Sequence, residues 1–240
     1  MKQKIVFQSQ NKKEIFRFLR SNKKRKTLNF LNLHDIYQTG KEPIFKKSLL
    51  EKNNINFIDG FIISVYLSAF SFKKISRTTG PTLTKAILSN RELLQNKKHF
   101  FIGLEKKDKE VLQRFFPHLK EAYSYNPPYI KGLNFSLKEI EKITKLINKF
   151  NPNYVWVGIG CPKQNILSSV LAPKTKAQYF MNVGAALDFL LGKKKQAPQI
   201  IRRFGIEWLY RFITDFKHSK KKVWRSLAGL RYLPGSIKIK

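Results

Sequence analysis

Strand-like and helix-like segments alternate along this chain at a spacing that is typical of parallel sheets. The apolar run NYVWVGIG (residues 153–160) precedes helix-like PKQNILSSVL (162–171), strand-like AQYFMNVG (177–184) and helix-like AALDFLLG (185–192). Parallel neighbours in a sheet need crossovers of this kind, and the crossover helices cover both faces of the sheet. We therefore predict an α/β fold with a Rossmann-like parallel sheet flanked by helices.

The same alternation continues toward the N terminus. Strands are predicted at residues 26–33, 54–59 and 97–105, and helices at 45–53, from Gly60 onward, at 108–119 and at 136–150. Within the last of these helices, apolar residues recur at helical spacing at Leu137, Ile140, Ile143 and Ile147. The segment YSYNPPYIKG (123–132) reads as a loop. Ligands of such sheets bind at the carboxyl ends of the strands, so that edge is where we expect a site.

The two ends of the chain are strongly basic. Residues 1–26 contain ten Lys or Arg and one acid, and we expect a mobile or partner-facing arm with a helix near residues 14–19. Residues 193–240 contain fourteen Lys or Arg, two acids and several Trp and Tyr, which is typical of a helical appendage that meets an anionic membrane surface. An ordinary helix with a solvated basic face would have the same pattern. We thus predict a core of residues 1–192 and an appendage of residues 193–240.

The whole chain has 48 Lys plus Arg against 15 Asp plus Glu, a net charge of +33. Such an excess favours an anionic partner: nucleic acid, an anionic membrane surface or a polyphosphate substrate. A lysine-rich surface that only maintains solubility is the alternative.

Some classes of protein are disfavoured by what the sequence lacks. A single cysteine, Cys161, excludes a disulfide framework and a Cys-based zinc site, and the four His are scattered, so no metal site is predicted. The N terminus lacks the apolar stretch of a signal peptide. The longest apolar run, residues 61–72, is shorter than the roughly 20 residues that span a bilayer. We expect an intracellular, cytoplasmic protein without a transmembrane segment.

The stretch GIGCPKQN (residues 158–165) has the properties of an anion-binding corner. Gly158 and Gly160 allow a tight turn, and Pro162 suits the first position of a helix. Free N–H groups at the helix start, together with Lys163, would attract a phosphate, and Gln164 offers an amide to a hydroxyl. A purely structural strand–turn–helix corner would have the same residues, and the stretch is neither a P-loop nor a dinucleotide fingerprint.

Asp59 and Arg77 are the other residues that stand out. Asp59 follows an apolar strand and precedes Gly60, where partial desolvation could favour a general base, although a helix N-cap is the common role for such an Asp. Arg77 precedes the turn glycine Gly80 and could bind an anion; a lone arginine there is usually solvated.

Seven stretches in chain order resemble the WecG/TagA/CpsF glycosyltransferases (glycosyltransferase family 26) over roughly residues 25–225. They are TLN (27–29), Asp59-Gly60, RTTG (77–80), YNPPY (125–129), VWVGIGCPKQ (155–164), MNVGAALDFLLG (181–192) and GIEWLYRF (205–212). The family commonly has glutamate where this chain has Asn165. The resemblance implies sugar transfer from a UDP-sugar to a lipid-diphosphate-linked acceptor, with inversion and without a metal or other cofactor. An N-acetylmannosamine-type or a glucose-type donor would fit.

The resemblance also implies roles for individual residues. The residue matching Asp59 acts as the base on the acceptor hydroxyl, and those matching Thr27, Asn29, Arg77 and Gln164 line the substrate pocket. A basic tail closes over the site and docks the protein peripherally on the inner face of the membrane, and self-association is compatible with the family.

The departing diphosphate needs cations. Glycosyl transfer leaves negative charge on the diphosphate, and Lys163, Arg211 or Arg225 could stabilise it beside the corner formed by Gly158, Gly160 and Pro162.

Two other functions would explain parts of the sequence. A nucleic-acid-binding protein would account for the charge and for the aromatic residues among the basic ones, but no helix-turn-helix, RNP or zinc pattern is present, so nucleic acid is not an expected partner. A catalytically inactive homologue that only binds the membrane surface would keep the fold and would be insensitive to replacement of Asp59.

Overall fold

The computed structural model describes residues 4–8, 11–22, 24–72, 75, 77–198, 201, 210, 213 and 216–239. Its strands are β1 (Ile5–Gln8), β2 (Lys26–Leu31), β3 (Asn54–Ile58), β4 (His99–Ile102), β5 (Ala122–Tyr125), β6 (Tyr154–Val157), β7 (Tyr179–Asn182) and β8 (Ile237–Ile239). They form one eight-stranded sheet in the order β5-β4-β6-β7-β2-β3-β1-β8. Every strand pair is parallel, which confirms the predicted α/β fold with a Rossmann-like parallel sheet.

Helices lie on both faces of this sheet. They are α1 (Lys12–Ser21), α2 (Leu33–Lys41), α3 (Pro43–Leu49), α4 (Phe61–Ser71), α5 (Gly80–Leu88), α6 (Arg91–Leu94), α7 (Lys106–Phe115), α8 (Leu137–Phe150), α9 (Lys163–Leu171), α10 (Ala186–Leu190), α11 (Phe216–Gly229) and α12 (Leu233–Ser236), with 3₁₀ turns at Ala172–Lys174 and Leu230–Tyr232. One face is covered by α1, α5, α6, α7 and α10. The other is covered by α2, α3, α4, α8 and α9.

The central strands have the composition that burial on both faces requires. All four residues of β6 are buried, and its Trp156 is completely enclosed. Parallel strands covered by helices read as continuous apolar and aromatic runs, because both faces are in the core. Helix α8 is amphipathic by contrast, and it buries Ile140, Ile143 and Ile147. Leu137, which was predicted to lie on that same face, is 77% exposed at the first position of the helix.

The N-terminal arm that the sequence predicted is replaced by an integral part of the fold. Strand β1 pairs with β3 and β8, and its Ile5 and Phe7 are fully buried. Helix α1 covers the sheet through Ile15 and Leu19. The basic residues of α1 (Lys12, Lys13, Arg17 and Arg20) are exposed on its outward face. The composition therefore indicated the charged surface of this segment correctly, but the segment is part of the fold and not an arm.

Two further differences concern the second half of the chain. The segment predicted as a loop begins with a short edge strand, β5, which pairs with β4. The C-terminal segment contains helix α11, as expected, but it ends in β8, which joins the sheet next to β1. The division at residue 192 stays a prediction. Within the described part of the chain, no helix combines the length and the hydropathy that a bilayer crossing requires.

Candidate active site

Asp59 lies at the carboxyl edge of the sheet, directly after β3, and the segment that leads into α5 wraps around it. The N–H of Gly80 donates to Oδ2 of Asp59 (3.2 Å), and Nε of Arg77 donates to the backbone oxygen of Asp59 (2.9 Å). The N–H of Thr78 donates to the carbonyl of Ile58 (2.8 Å), which holds this segment along the end of the strand. The structure therefore brings together Asp59 and Arg77, two of the predicted site residues.

Asp59 is not the N-cap of its own helix. Gly60 occupies that position in α4, and no side chain caps the helix. The carboxylate instead faces the first residue of α5, so the positive end of that helix stabilises its charge. A Cβ on Gly80 would lie 3.4 Å from Oδ2 of Asp59, which is van der Waals distance, so the start of α5 lies directly against the carboxylate. The half-buried carboxylate is held in place and oriented, as a general base must be.

The glycine-rich corner after β6 lies at the same edge. Gly160 has φ 86°, a conformation that favours glycine, and the Cys161–Pro162 peptide is cis. Pro162 occupies the N-cap position of α9, one residue before the predicted place. The N–H groups of Gln164 and Ile166 donate to the carbonyls of Gly160 and Pro162. Because these two N–H groups already donate to backbone carbonyls, they are not available to the anion that was predicted to bind at this helix start.

Lys163 points toward the loop that follows β5. Its Nζ donates to the carbonyl of Ile130 and lies 4.8 Å from the centre of the Tyr129 ring. The YNPPY segment and the PKQ segment, which are far apart in sequence, thus meet at Lys163. An anion that bound Lys163 would have to compete with the carbonyl of Ile130.

Gln164 is buried, and its side chain lies beside Gly184, the turn residue that follows β7. It is 4% exposed, and its Oε1 is a buried acceptor that has no hydrogen-bond partner among the described residues. A Cβ on Gly184 would lie 3.6 Å from this oxygen. Leaving a buried acceptor unpaired costs about 1–3 kcal/mol, so Oε1 suits a ligand that donates a hydroxyl or an amide hydrogen.

Between the two halves of the site lie β7 and β2. Asp59 follows β3 and Gly158 follows β6, which are three strand spacings apart in the sheet order, or about 14 Å. An extended ligand could cover this distance along the carboxyl edge, with one end at Asp59 and the other at the corner around Gly160.

Asn29 and Thr27 lie within the sheet and away from that edge. Asn29 is 1% exposed, and its Oδ1 accepts from Nδ2 of Asn165 (2.8 Å) and of Asn182 (2.7 Å). Its own Nδ2 donates to Oδ1 of Asn56 (2.9 Å). Thr27 is 4% exposed and four residues before the end of β2, about 13 Å from the edge. The structure does not bring these two residues to Asp59, and their predicted contact with substrate has no support in this arrangement.

The C-terminal helix reaches the same end of the molecule. Helix α11 packs on α2, and a Cβ on Gly229 would lie 2.5 Å from the carbonyl oxygen of Leu33, the first residue of α2. Because α2 starts just beyond β2, the end of α11 lies at the carboxyl edge. Arg225 is exposed one helical turn before Gly229. Arg211 lies outside the described residues, so its predicted role has no structural test.

Other cavities and clusters of the described residues do not coincide with these side chains. Two shallow depressions lie at the opposite, amino edge of the sheet and share Arg25, Asn151 and Lys176. Arg25 there donates to the carbonyls of Thr175 and Ala177, and no predicted site residue is present. Among the described residues, no three His, Cys, Asp or Glu side chains are placed to hold a metal ion.

Sequence reasoning missed several residues of the site. The roles of Gly80 on the carboxylate and of Gly184 beside Gln164 follow only from the folded chain. Both glycines stand in stretches, RTTG and MNVG, that the motif order had already selected, and each follows a strand or precedes a helix. That position was the one signal that could have identified them.

Comparison with known proteins agrees with the order of motifs. The profile of the "Glycosyl transferase WecG/TagA/CpsF family" matches residues 4–233. Two relatives, from Staphylococcus aureus strains MRSA252 and NCTC 8325, are named N-acetylglucosaminyldiphosphoundecaprenol N-acetyl-beta-D-mannosaminyltransferase. Each is 32% identical over 124 residues, which are 52% of this chain and 42% of the relative. The match thus spans less than half the length of these relatives. Because the profile covers nearly the whole chain, this protein belongs to the WecG/TagA/CpsF family of glycosyltransferases.

Proposed function

We propose that this protein transfers a sugar, with inversion and without a metal, from a UDP-sugar to a sugar on a lipid-linked diphosphate. The observation that carries the proposal is the carboxylate of Asp59, held at the carboxyl edge by the N–H of Gly80, with Arg77 bonded to the backbone of the same residue. The names of the relatives suggest N-acetylmannosamine as the first donor sugar to test and N-acetylglucosaminyl-diphosphoundecaprenol as the acceptor.

The proposed reaction is a single displacement. Asp59 takes the proton from the acceptor hydroxyl while that oxygen attacks the anomeric carbon of the donor sugar. The bond between this carbon and the diphosphate oxygen breaks, and UDP departs with the electron pair. Attack from the face opposite to the leaving group inverts the configuration. Positive charge at the anomeric carbon and negative charge on UDP both develop in the transition state.

Cationic side chains would stabilise the departing diphosphate. Lys163 at the glycine corner and Arg225, exposed one helical turn before the end of α11 that meets α2, are the candidates among the described residues, and we assign Arg211 the same role from the family resemblance alone. A preorganised cation can lower such a barrier by several kcal/mol, which is the contribution that a metal ion would otherwise make. No cofactor is needed for this chemistry, and UDP-sugar is a substrate.

We further propose peripheral attachment to the inner face of the cell membrane, where a lipid-linked acceptor would be presented. The excess of basic residues over the last 48 positions supports attraction to anionic lipids.

The test is acceptor-dependent UDP release from a panel of UDP-sugars, with a short-chain, water-soluble lipid-diphosphate-N-acetylglucosamine acceptor and EDTA present throughout. We expect turnover by the wild type and a loss of about 10²- to 10⁴-fold in kcat for Asp59→Asn, because the amide cannot accept the proton. Asn retains an acceptor for the N–H of Gly80, so the thermal midpoint should change little.

Asp188→Asn is the matched control, because Asp188, on the short helix α10, is a half-buried carboxylate that pairs with Lys194. It should retain activity. Full activity of Asp59→Asn would exclude Asp59 as the base, and activity that EDTA abolishes and Mg²⁺ restores would contradict the metal-independent mechanism. Salt-sensitive binding of nucleic acid without turnover of any donor would favour the alternative function.

A further inference from the structure

Helix α4, which begins two residues after Asp59, exposes an apolar surface over about half of its circumference. The buried side consists of Ile63, Ser64 and Leu67. The outward side contains no charged or amide side chain. Its exposed members are Phe61 (44%), Val65 (50%), Phe70 (71%) and Phe72 (97%), with Ala69 between them. A surface helix of a water-soluble domain normally shows the opposite pattern, with polar residues outward.

The three serine side chains of α4 are bonded within the helix. The hydroxyls of Ser64, Ser68 and Ser71 donate to the carbonyls of Phe61, Ser64 and Leu67, each at 2.7 Å. Hydroxyls that are bonded to the backbone in this way do not need water, so they add little to the cost of placing the helix against hydrocarbon.

The charge near α4 favours a lipid surface over a second copy of this chain as the partner of the exposed face. From residue 60 to residue 90 the sequence has four cations and no carboxylate, and the first two cations, Lys73 and Lys74, directly follow Phe72. Two copies of a chain with net charge +33 repel each other, and in a symmetric contact through α4 neither copy would bring an acid to this segment. An anionic lipid surface offers hydrocarbon to the aromatic side chains and phosphate to the cations.

The length of α4 fixes how it would meet such a surface. Eleven residues span about 16 Å, roughly half of a bilayer's hydrocarbon core, so the helix would lie along the interface. Its first residue is two positions from Asp59, so contact at this helix would bring the base close to the plane where a lipid-linked diphosphate lies.

We propose that the outward face of α4 is a membrane-contact surface for anionic lipid, separate from the basic C-terminal tail, and that it orients the carboxyl edge toward a membrane-embedded acceptor. The statement about the acceptor rests on the proposed function, whereas the contact with lipid can be measured without turnover.

The experiment is flotation of the full chain with vesicles of phosphatidylcholine containing 30% phosphatidylglycerol, at about 150 mM salt. Phe70→Ser/Phe72→Ser should bind these vesicles at least about tenfold more weakly than the wild type, because two large apolar side chains leave the interface. Val65→Ser, on the same face, should act in the same direction with a smaller effect. It also provides a single-residue probe if the double variant is poorly folded.

The matched control is Phe115→Ser/Leu137→Ser, which removes two large apolar side chains that are also exposed (62% and 77%), at the ends of α7 and α8. It should bind as the wild type does. Equal weakening by both double variants, or wild-type binding by Phe70→Ser/Phe72→Ser and Val65→Ser, would overturn the proposal. If the Phe70→Ser/Phe72→Ser variant bound vesicles as the wild type does, but sedimented as a monomer where the wild type sediments as a dimer, the face would be assigned to a second copy instead.

Two acceptors separate this inference from the proposed function. The Phe70→Ser/Phe72→Ser variant should keep wild-type turnover of a short-chain, water-soluble acceptor and lose about tenfold with an undecaprenyl acceptor embedded in vesicles. Turnover of neither acceptor by the wild type would remove the proposed function, while the flotation result would still decide the lipid contact. Equal turnover of the embedded acceptor by variant and wild type would overturn the orienting role.

Discussion

His99 is a titratable residue whose side chain is buried in the interior of the sheet. It is the first residue of β4, is fully buried, and stacks on Tyr154 with ring centres 5.5 Å apart. Its Nδ1 accepts from Nε1 of Trp156 (3.3 Å). Burial lowers the pKa of His99 from 6.5 to about 4, because the charged ring would lose its hydration.

This shift predicts a loss of stability in mild acid. Above pH 6.5 the ring is neutral in both the folded and the unfolded chain, so its titration contributes nothing. Below that pH His99 is protonated in the unfolded chain but stays neutral in the folded chain. The free energy of unfolding therefore falls as the pH is lowered, and by about pH 4 it has lost about 3 kcal/mol. Urea unfolding at pH 7.5, 5.5 and 4.5 measures it.

His99→Gln isolates this contribution, because a glutamine can still accept from the indole of Trp156 but does not titrate. The variant should lose about 2.5 kcal/mol less than the wild type between pH 7.5 and pH 4.5. An equal acid loss in wild type and His99→Gln would contradict the prediction.

At the scale of elements, a row of amides joins three strands to the helix that bears the glycine corner. Asn56 of β3, Asn29 of β2 and Asn182 of β7 stand side by side in register. Asn165 of α9 donates to Asn29, and the hydroxyl of Ser168, also of α9, donates to Oδ1 of Asn182 (2.6 Å). These hydrogen bonds fix where α9 lies on the sheet, although Oδ1 of Asn165 itself has no partner among the described residues.

The network predicts an order of effects. Asn29→Ala removes three hydrogen bonds and should cost about 3 kcal/mol, whereas Asn165→Ala removes one and should cost about 1 kcal/mol. Because α9 carries Lys163 and Gln164, Asn165→Ala should also raise KM for the donor more than it lowers kcat. Urea unfolding and steady-state kinetics measure the two effects. Equal stability losses in the two variants would show that Asn29 is not the centre of the network.

The contact between α11 and α2 gives a second prediction for elements. A Cβ at Gly229 would lie 2.5 Å from the backbone oxygen of Leu33, which cannot move without moving α2. Gly229→Ala should therefore destabilise the protein by about 1–3 kcal/mol and loosen the tail at the carboxyl edge. Gly132→Ala is the control, because a Cβ there meets nothing within 4 Å. Thermal unfolding of both variants tests the contact; a neutral Gly229→Ala would mean that α11 does not pack on α2.

The sequence predicted the features that depend on local patterns, and it did not predict those that depend on contacts between residues distant in the chain. Alternating segments and the rule that ligands bind at carboxyl ends were sufficient to predict the sheet and the edge on which Asp59 and Arg77 meet. Asn29 was expected to bind substrate because it matches a residue of a family motif, and its hydrogen-bond partners, 27 and 153 residues away in the sequence, could not be predicted. Strand β1 was missed because it is only four residues long and because only two of its side chains, Ile5 and Phe7, are buried.

At the scale of the whole molecule, the first and last strands of the described chain pair with each other. Strand β8 pairs only with β1 among the described strands, in a register that sets Ile5 beside Ile237, and both side chains are buried. Leu233 and Ile237 belong to the same apolar cluster as Phe7 and Phe45. The C-terminal segment therefore contributes to the core of the sheet as well as to the carboxyl edge.

This closure predicts that the chain unfolds as one unit. Ile237→Ala removes buried apolar volume at the junction of the termini and should cost about 2–4 kcal/mol, lowering the midpoint of a single transition. Circular dichroism and Trp fluorescence, followed together in urea, should give coincident curves for wild type and variant. Ile44→Ala, at a 42% exposed position on α3, should change the midpoint little. Two separated transitions, of which Ile237→Ala moves only the first, would instead make residues 193–240 an independent appendage, and the tail could then open and close over Asp59 without disturbing the sheet.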